Sequence, residues 1–116
     1  MRKLERFDGR LVTASPVWRE LHFGARRLPE SRRRATLERD LHELSWALEI
    51  VPYSSAAAEW QAAERARLEG AGLSSSFVDG QIAAIAATGG FVLVTRNISA
   101  FEPFEGLSVE NWFHTP

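Results

Sequence analysis

Two acidic residues far apart in the chain occupy positions that are unusual for surface carboxylates. Glu20 lies in a segment typical of a helix start, with Ser15 as a candidate N-cap and Pro16 at the first helical position. Its i±3 and i±4 neighbours on such a helix carry no charge: Pro16, Val17, Phe23 and Gly24. Because a bare buried carboxylate is costly, an inward-facing Glu20 needs a cation, a metal or a proton.

A second acid, Asp79, repeats this pattern in the apolar segment 77–86. Asp79 is predicted in the first turn of its helix, where the helix dipole favours an ionised carboxylate. Asn97 follows the clearest buried strand, and parallel sheets place their sites at the carboxyl ends of strands. We therefore expect Glu20, Asp79 and Asn97 to meet at one edge of a sheet. Their oxygen atoms suit Mg²⁺ or Mn²⁺, and such a site fits phosphodiester hydrolysis.

Each of these features also has a simpler interpretation. Glu20 could form a buried ion pair with Arg96 or another arginine, and Asp79 could be an ordinary carboxylate at a helix N-terminus. The segment 95–97 could be a strand-to-loop turn. A dense basic run could bind RNA phosphates, but a solvated helix face explains it equally well: Arg26, Arg27, Arg32, Arg33 and Arg34.

Length and composition restrict the class of protein. A chain of 116 residues fits one domain, and 45% hydrophobic with 25% charged residues is ordinary for a globular protein. The net charge of −1 gives no global attraction to nucleic acid or membrane. There are no cysteines, which excludes thiolate chemistry and fits a reducing cytoplasm. No apolar run approaches the ~20 residues that span a bilayer.

Short apolar runs alternate with longer helical stripes along the chain. Strands are predicted near 11–14, 49–52, 91–94 and 107–110. Helices are predicted around Glu20, along a leucine stripe at positions 37, 41, 44 and 48, from Ser54 or Ser55 to about Glu69, and around Asp79 as far as Gly89. The third helix has candidate core contacts at Ala57, Trp60, Ala63, Ala66 and Leu68. This alternation predicts a three-layer α/β domain with a parallel sheet.

Three segments, in this order and spacing, resemble the PIN domain family, and specifically ribonuclease toxins of the VapC type. They are residues 13–24 around Glu20, residues 77–84 around Asp79, and residues 93–97 ending in Asn97. The resemblance implies that Glu20 and Asp79 are the second and third acids of a metal site. It places Asn97 where many family members carry a fourth acid.

This sequence departs from the family pattern at the front of the chain. Family members begin with a central strand ending in Asp-Thr-Asn, whose Asp is the first metal ligand, and this sequence has no such motif. Asp8 lies in a turn context and is not assigned that role. Residues 1–7 resemble the end of the family's first helix. We therefore expect residues 1–116 to form one PIN-like domain that is N-terminally truncated, lacking the first strand and most of the first helix. Such a chain would be poorly stable, partly associated, or packed with a gap between its strands at 11–14 and 91–94.

The resemblance implies a Mg²⁺-dependent endoribonuclease that is the toxin of a toxin–antitoxin pair. Its expected partners are an RNA substrate, a cognate antitoxin and a second copy of the chain, and its expected location is the cytoplasm without membrane attachment. The alternative is a catalytically impaired PIN domain that binds an antitoxin or another protein without cutting. A non-enzymatic α/β regulatory domain is a more distant alternative, because it would not explain an inward-facing Glu20.

Overall fold

The computed structural model describes residues 3–5, 11–95 and 97–111, with the backbone alone described for 3–5 and Leu11. These residues form strands, α-helices and one short 3₁₀ turn in an alternating order. The strands are β1 (Lys3–Glu5), β2 (Leu11–Ala14), β3 (Glu49–Val51), β4 (Val92–Val94) and β5 (Ser108–Glu110). The helices are α1 (Ser15–Arg26), α2 (Arg32–Ala47), α3 (Ser55–Gly70) and α4 (Phe77–Gly89), and the 3₁₀ turn is Ile98–Ala100.

The strands form a single sheet in the order β3-β2-β1-β4-β5. β2 pairs in parallel with β3, and β4 pairs in parallel with β5. β1 lies in the centre and is antiparallel to both β2 and β4. Because both neighbours oppose β1, the four outer strands all run in the same direction. The predicted α/β fold and the four predicted strands are confirmed within one or two residues at each end.

The central strand differs from the prediction in two ways. Residues 3–5 form a strand, so the prediction of a helix end is wrong there, and the predicted gap between β2 and β4 is occupied by β1. The backbone groups of β2 and β4 require hydrogen-bond partners, and β1 supplies them. Five residues separate β1 from β2 in sequence, which is enough for an antiparallel hairpin but too few for a parallel crossover.

The core combines strand residues with residues of α1, α3 and α4. Alternate strand residues Val12, Ala14 and Leu93 join this core, together with the helical residues Ile82 and Ile85. α4 buries a continuous run from Ile82 to Ala86, so its small alanines allow close approach of the sheet and of α3. This packing holds α4, which carries Asp79, against the middle of the sheet.

Helix boundaries follow local capping chemistry in three of the four helices. Ser31, Ser54 and Ser76 cap α2, α3 and α4, each accepting a hydrogen bond from a backbone N–H three residues later. α1 is the exception: its N-cap is Ala14, and no side chain caps it. The prediction that Ser15 is the N-cap is therefore wrong by one residue. Pro16 still lies in the first turn, where its missing N–H costs nothing.

α2 is confirmed as a helix, but no residue along it is buried. Its predicted leucine stripe is only partly covered. The helix α2 packs mainly against two elements, α1 and the edge strand β3. Trp46 on this helix is 82% exposed.

No helix within the described ranges is both long and apolar enough to cross a membrane.

The buried side of α3 differs from the predicted one. Ala57 and Leu68 are buried as predicted, and Trp60 packs partly against the core, but Ala63 and Ala66 are exposed. The buried stripe instead includes the polar residue Gln61. Its carboxamide accepts a hydrogen bond from the Tyr53 hydroxyl at 2.6 Å and donates one to the Phe77 carbonyl at 3.2 Å. These bonds satisfy a buried amide and join α3 to the start of α4.

A charged cluster joins α3 to the turn before β5. The Arg67 guanidinium donates two hydrogen bonds to Glu64, at 2.8 and 2.9 Å, and one to the Pro103 carbonyl at 2.7 Å. The Glu105 backbone N–H donates to the same Glu64 carboxylate at 3.0 Å. The hydrogen bonds from Arg67 hold the pKa of the Glu64 carboxyl below its ordinary value. The Glu64 side chain is only 12% exposed, so this cluster contributes to stability more than a surface ion pair would.

We expect Glu64→Gln to lower the free energy of unfolding by about 1–2 kcal/mol at pH 7, since it weakens charge-assisted hydrogen bonds. Because the folded pKa of Glu64 is lowered, its contribution is present above the ordinary value of 4.5 and is lost as the pH falls through the folded pKa. The difference between wild type and variant should therefore shrink below that pH. Urea unfolding at several pH values measures it.

Glu69→Gln is the matched control, because Glu69 lies on the same helix, is 65% exposed and pairs with Arg65 at i−4. Its effect should stay within ~0.5 kcal/mol. Equal effects of the two substitutions would show that the cluster has no special role.

Candidate active site

The direction of the strands brings three chain segments to one edge of the sheet. β2 and β4 run the same way, so the end of β2 at Ala14 and the end of β4 at Val94 lie at the same edge. α1 begins directly after Ala14, and Asn97 lies three residues beyond Val94. α4 connects to β4 through a two-residue link, so its N-terminus with Asp79 points back toward the carboxyl edge. α1 and α4 also pack against each other.

Glu20 projects differently from the prediction. Its side chain is 59% exposed and forms an ion pair with Arg19 at 3.3 Å. The prediction of an inward-facing carboxylate on an apolar stripe is wrong, because only the N-terminal half of that stripe is buried. Pro16 and Val17 are buried, but Phe23 is 58% exposed. Glu20 thus lies on the border of the buried face, where solvent screens its pair with Arg19 and a competing cation can reach it.

Asp79 is partly exposed in the first turn of α4. Its backbone N–H donates to the Ser76 hydroxyl at 3.0 Å, which fixes the start of the helix. The next residue, Gly80, is buried against Gln61 of α3, and a Cβ atom there would lie 2.5 Å from the Gln61 amide nitrogen. Asp79 is therefore held by a capped helix end that is packed tightly on a neighbouring helix.

Asn97 is exposed in the loop after β4. Its side-chain oxygen accepts a hydrogen bond from the Ser99 hydroxyl at 2.9 Å, and its backbone N–H donates to the Thr95 hydroxyl at 3.1 Å. Thr95 is 1% exposed, so this bond anchors the loop to the end of the strand. Ser99 was not predicted as part of this region. The local bonds agree with the simpler interpretation of a strand-to-loop turn and also fix the direction of the amide.

The central strand places a basic residue at the same edge. Lys3 pairs with Val94 and Glu5 with Val92, so the Lys3 end of β1 lies at the carboxyl edge of β4. Among the described residues, no three His, Cys, Asp or Glu side chains form a group that could hold a metal ion. Arg96, the predicted alternative partner of Glu20, lies outside the described residues, as does Asp8.

The described residues thus form an α/β domain with a sheet of order β3-β2-β1-β4-β5. The elements that carry Glu20, Asp79 and Asn97 are α1, α4 and the loop after β4. The sequence profile of the PIN domain matches residues 1–102. The chain belongs to the PIN domain family. Comparison with curated protein sequences gave no match.

Several solved structures are similar to this chain. VapBC2 from Rickettsia felis, bound to a DNA fragment from its promoter, is 29% identical with a TM-score of 0.76, over 88% of this chain and 74% of that one. DNA-bound VapBC from Salmonella typhimurium is 29% identical with a TM-score of 0.75, over 86% and 74% of the two chains. VapBC-5 from Mycobacterium tuberculosis, a member of the VapBC family of toxin–antitoxin systems, shares the fold at 22% identity, with a TM-score of 0.72 over 86% and 80%.

Proposed function

We propose that this chain is a VapC-type nuclease toxin that hydrolyses RNA phosphodiester bonds with Mg²⁺ and is controlled by an antitoxin. The observation that carries the proposal is the position of Glu20 and Asp79 on the helices α1 and α4 of a PIN fold. Both helices reach the carboxyl edge of the sheet, where α/β proteins bind ligands. RNA as substrate and an antitoxin as partner place this activity in the cytoplasm.

The donor atoms at this edge fit a hard divalent cation. Mg²⁺ usually keeps several waters and is bound through one or two carboxylates together with substrate phosphates. Glu20 and Asp79 would be the metal ligands, and Asn97 would contribute its amide to the same catalytic edge. A bound metal ion would activate a water and stabilise the leaving oxygen. Mn²⁺ has the same preference for oxygen ligands and should substitute for Mg²⁺.

The protein's own residues prepare this edge in three ways. The N-terminus of α4, where Asp79 lies, attracts the anionic backbone of RNA. Arg19 neutralises Glu20 in the absence of a metal and can release it, because a solvent-exposed pair is weak. The hydrogen bonds from Ser99 and to Thr95 hold Asn97 at the end of β4.

An antitoxin is the proposed protein partner, because the similar structures at 29% identity are VapBC complexes. We propose that the antitoxin lays an acidic or Arg-bearing segment across the edge near Glu20 and Asp79. The same segment would continue along the arginine-rich residues 26–34. The chain would act as a homodimer. Light scattering with and without the product of the neighbouring gene tests both statements.

The second candidate function is binding without cleavage. One observation favours it: β1 brings Lys3, rather than an acid, to the carboxyl edge of β4. A site with two carboxylates and no third acid would hold a divalent metal less tightly. In this case the chain would still bind its antitoxin but would not cut RNA.

Controlled expression in a bacterial host tests the proposal. Induction of the chain should arrest growth, co-expression of the neighbouring gene product should relieve the arrest, and Asp79→Asn should remove the toxicity while the antitoxin still binds. Arrest of equal strength by wild type and Asp79→Asn would contradict the nuclease proposal. Antitoxin binding without any arrest would favour the second candidate.

A further inference from the structure

A cleft outside the carboxylate edge separates α1 from α2. It has a volume of about 340 Å³, at the lower end of the range for small-ligand sites. Two helical stripes face each other across it, one from each helix. The lining residues of this α1–α2 cleft are Trp18, His22, Arg26, Glu38, His42 and Ser45.

The cleft is lined by flat rings rather than aliphatic side chains. Trp18 and His22 meet edge to face with ring centroids 4.7 Å apart, and His42 and Trp46 do so at 6.1 Å. Trp46 is not itself a lining residue, but it is 82% exposed and its ring contacts the lining residue His42. None of the six lining residues is aliphatic, and the leucines of α2 are not among them. Flat, accessible rings are suited to stacking on bases, whereas a groove for a protein segment would present an aliphatic floor.

The charge of the cleft suits a polyanion. Its acidic member, Glu38, is paired with Arg34 at 3.0 Å, so its charge is neutralised. Arg26 is exposed at the end of α1 and makes no ion pair with any residue in the ranges 11–95 and 97–111. An exposed guanidinium beside aromatic rings is an arrangement that can hold a phosphate next to a base.

The position of the cleft links it to the proposed catalytic edge. Trp18 and His22 lie two residues before and after Glu20 on the same helix, which is a rise of only ~3 Å in each direction. Glu20 itself is not a lining residue of the cleft and lies around the helix from it. A single strand that crosses α1 can therefore place one base in the cleft while its backbone continues toward Glu20.

We propose that the α1–α2 cleft binds an unpaired nucleotide of single-stranded RNA, with Trp46 and Trp18 as stacking partners and Arg26 as a phosphate contact. This inference rests on the proposed RNA substrate. It assigns recognition of an unstacked base to a site that takes no part in bond cleavage. Duplex RNA, whose bases stay stacked, should bind less tightly.

The test is the affinity for a 5′-labelled, uridine-rich oligoribonucleotide, measured by fluorescence anisotropy in EDTA so that no metal-dependent cleavage occurs. Trp46→Ala should weaken binding by about tenfold or more, the effect of losing one base–aromatic stack. Arg26→Gln should weaken binding and reduce the salt dependence by about one phosphate contact. Both residues are exposed, so both variants should fold, which circular dichroism verifies.

Two variants at exposed positions away from the cleft are the matched controls. Leu73→Ala removes an exposed apolar side chain and Arg65→Gln removes an exposed charge, and both should leave affinity within about twofold of wild type. Equal affinity of Trp46→Ala and wild type would overturn the inference while leaving the nuclease proposal intact. Loss of antitoxin binding by Trp46→Ala with unchanged RNA affinity would also overturn it, in favour of a protein-docking cleft. Failure of the wild type both to bind and to cleave RNA would defeat the nuclease proposal as well.

Discussion

Asp79→Asn should reduce Mg²⁺-dependent RNA cleavage by ~10²-fold or more, the scale seen when one preorganised charge-stabilising group is removed from a site. The two candidate metal ligands carry one negative charge each, so this change halves the formal charge that holds the metal. Metal affinity depends on the number of charged ligands, and saturating Mg²⁺ should therefore restore only part of the activity. Initial rates on a defined RNA across a range of Mg²⁺ concentrations measure both effects.

The fold should survive this substitution, because the Asp79 side chain is not the helix cap. Ser76 caps α4 by accepting from the Asp79 backbone N–H, which asparagine retains. The thermal midpoint should thus change little. Asp40→Asn, at an exposed position on α2, is the control for a general loss of negative charge and should cleave like wild type. If Asp79→Asn cleaves as fast as wild type, Asp79 is not a metal ligand.

Gly80→Ala should lower the free energy of unfolding by about 1–3 kcal/mol, despite the higher helix propensity of alanine. The new Cβ would lie 2.5 Å from the Gln61 amide nitrogen and 3.2 Å from its Cδ. Gln61 cannot move aside freely, because it is buried and hydrogen-bonded to Tyr53 and to the Phe77 carbonyl. The start of α4 must shift instead, and cleavage activity should fall with it because Asp79 is the neighbouring residue.

Gly24→Ala provides the matched control within another helix. A Cβ at Gly24 has no neighbour within 4 Å, so this substitution should be neutral or stabilising by up to ~1 kcal/mol. Gln61→Ala combined with Gly80→Ala removes the clash and should show strong coupling between the two positions in a double-mutant cycle. Additive effects of the two changes would show that the close contact is not the cause.

The sequence predicted most of the elements but not the central strand. β2, β3, β4 and β5 are apolar runs of strand length, and the serine caps and Gly90, which adopts a positive φ of 69° after α4, mark helix ends locally. β1 carries no such pattern, because Lys3 and Glu5 flank a single leucine. It is a strand because the backbone groups of β2 and β4 on either side of it need hydrogen-bond partners. A requirement that comes from the tertiary structure leaves no pattern in the local sequence.

The candidate site shows the same limit. Sequence order predicts Glu20, Asp79 and Asn97 as site residues, and strand direction relates the elements that carry them to the carboxyl edge of the sheet. The sequence pattern misplaced the Glu20 side chain. Helical spacing puts the apolar Phe23 on the same face as Glu20, which suggested a buried face, but Phe23 is 58% exposed. It also missed the buried stripe of α3, since Gln61 is polar and its burial depends on partners far away in sequence.

The most direct test of the central proposal is the metal dependence of RNA cleavage by the purified chain. Wild-type protein should cleave single-stranded RNA in Mg²⁺ or Mn²⁺, stop in EDTA, and resume when the metal is returned, whereas Asp79→Asn prepared in parallel should cleave at least ~10²-fold more slowly. Cleavage that persists in EDTA, or equal cleavage by the variant, would contradict a carboxylate-held metal site. A folded, antitoxin-binding protein that never cleaves RNA would contradict the nuclease proposal and establish the chain as a binding module.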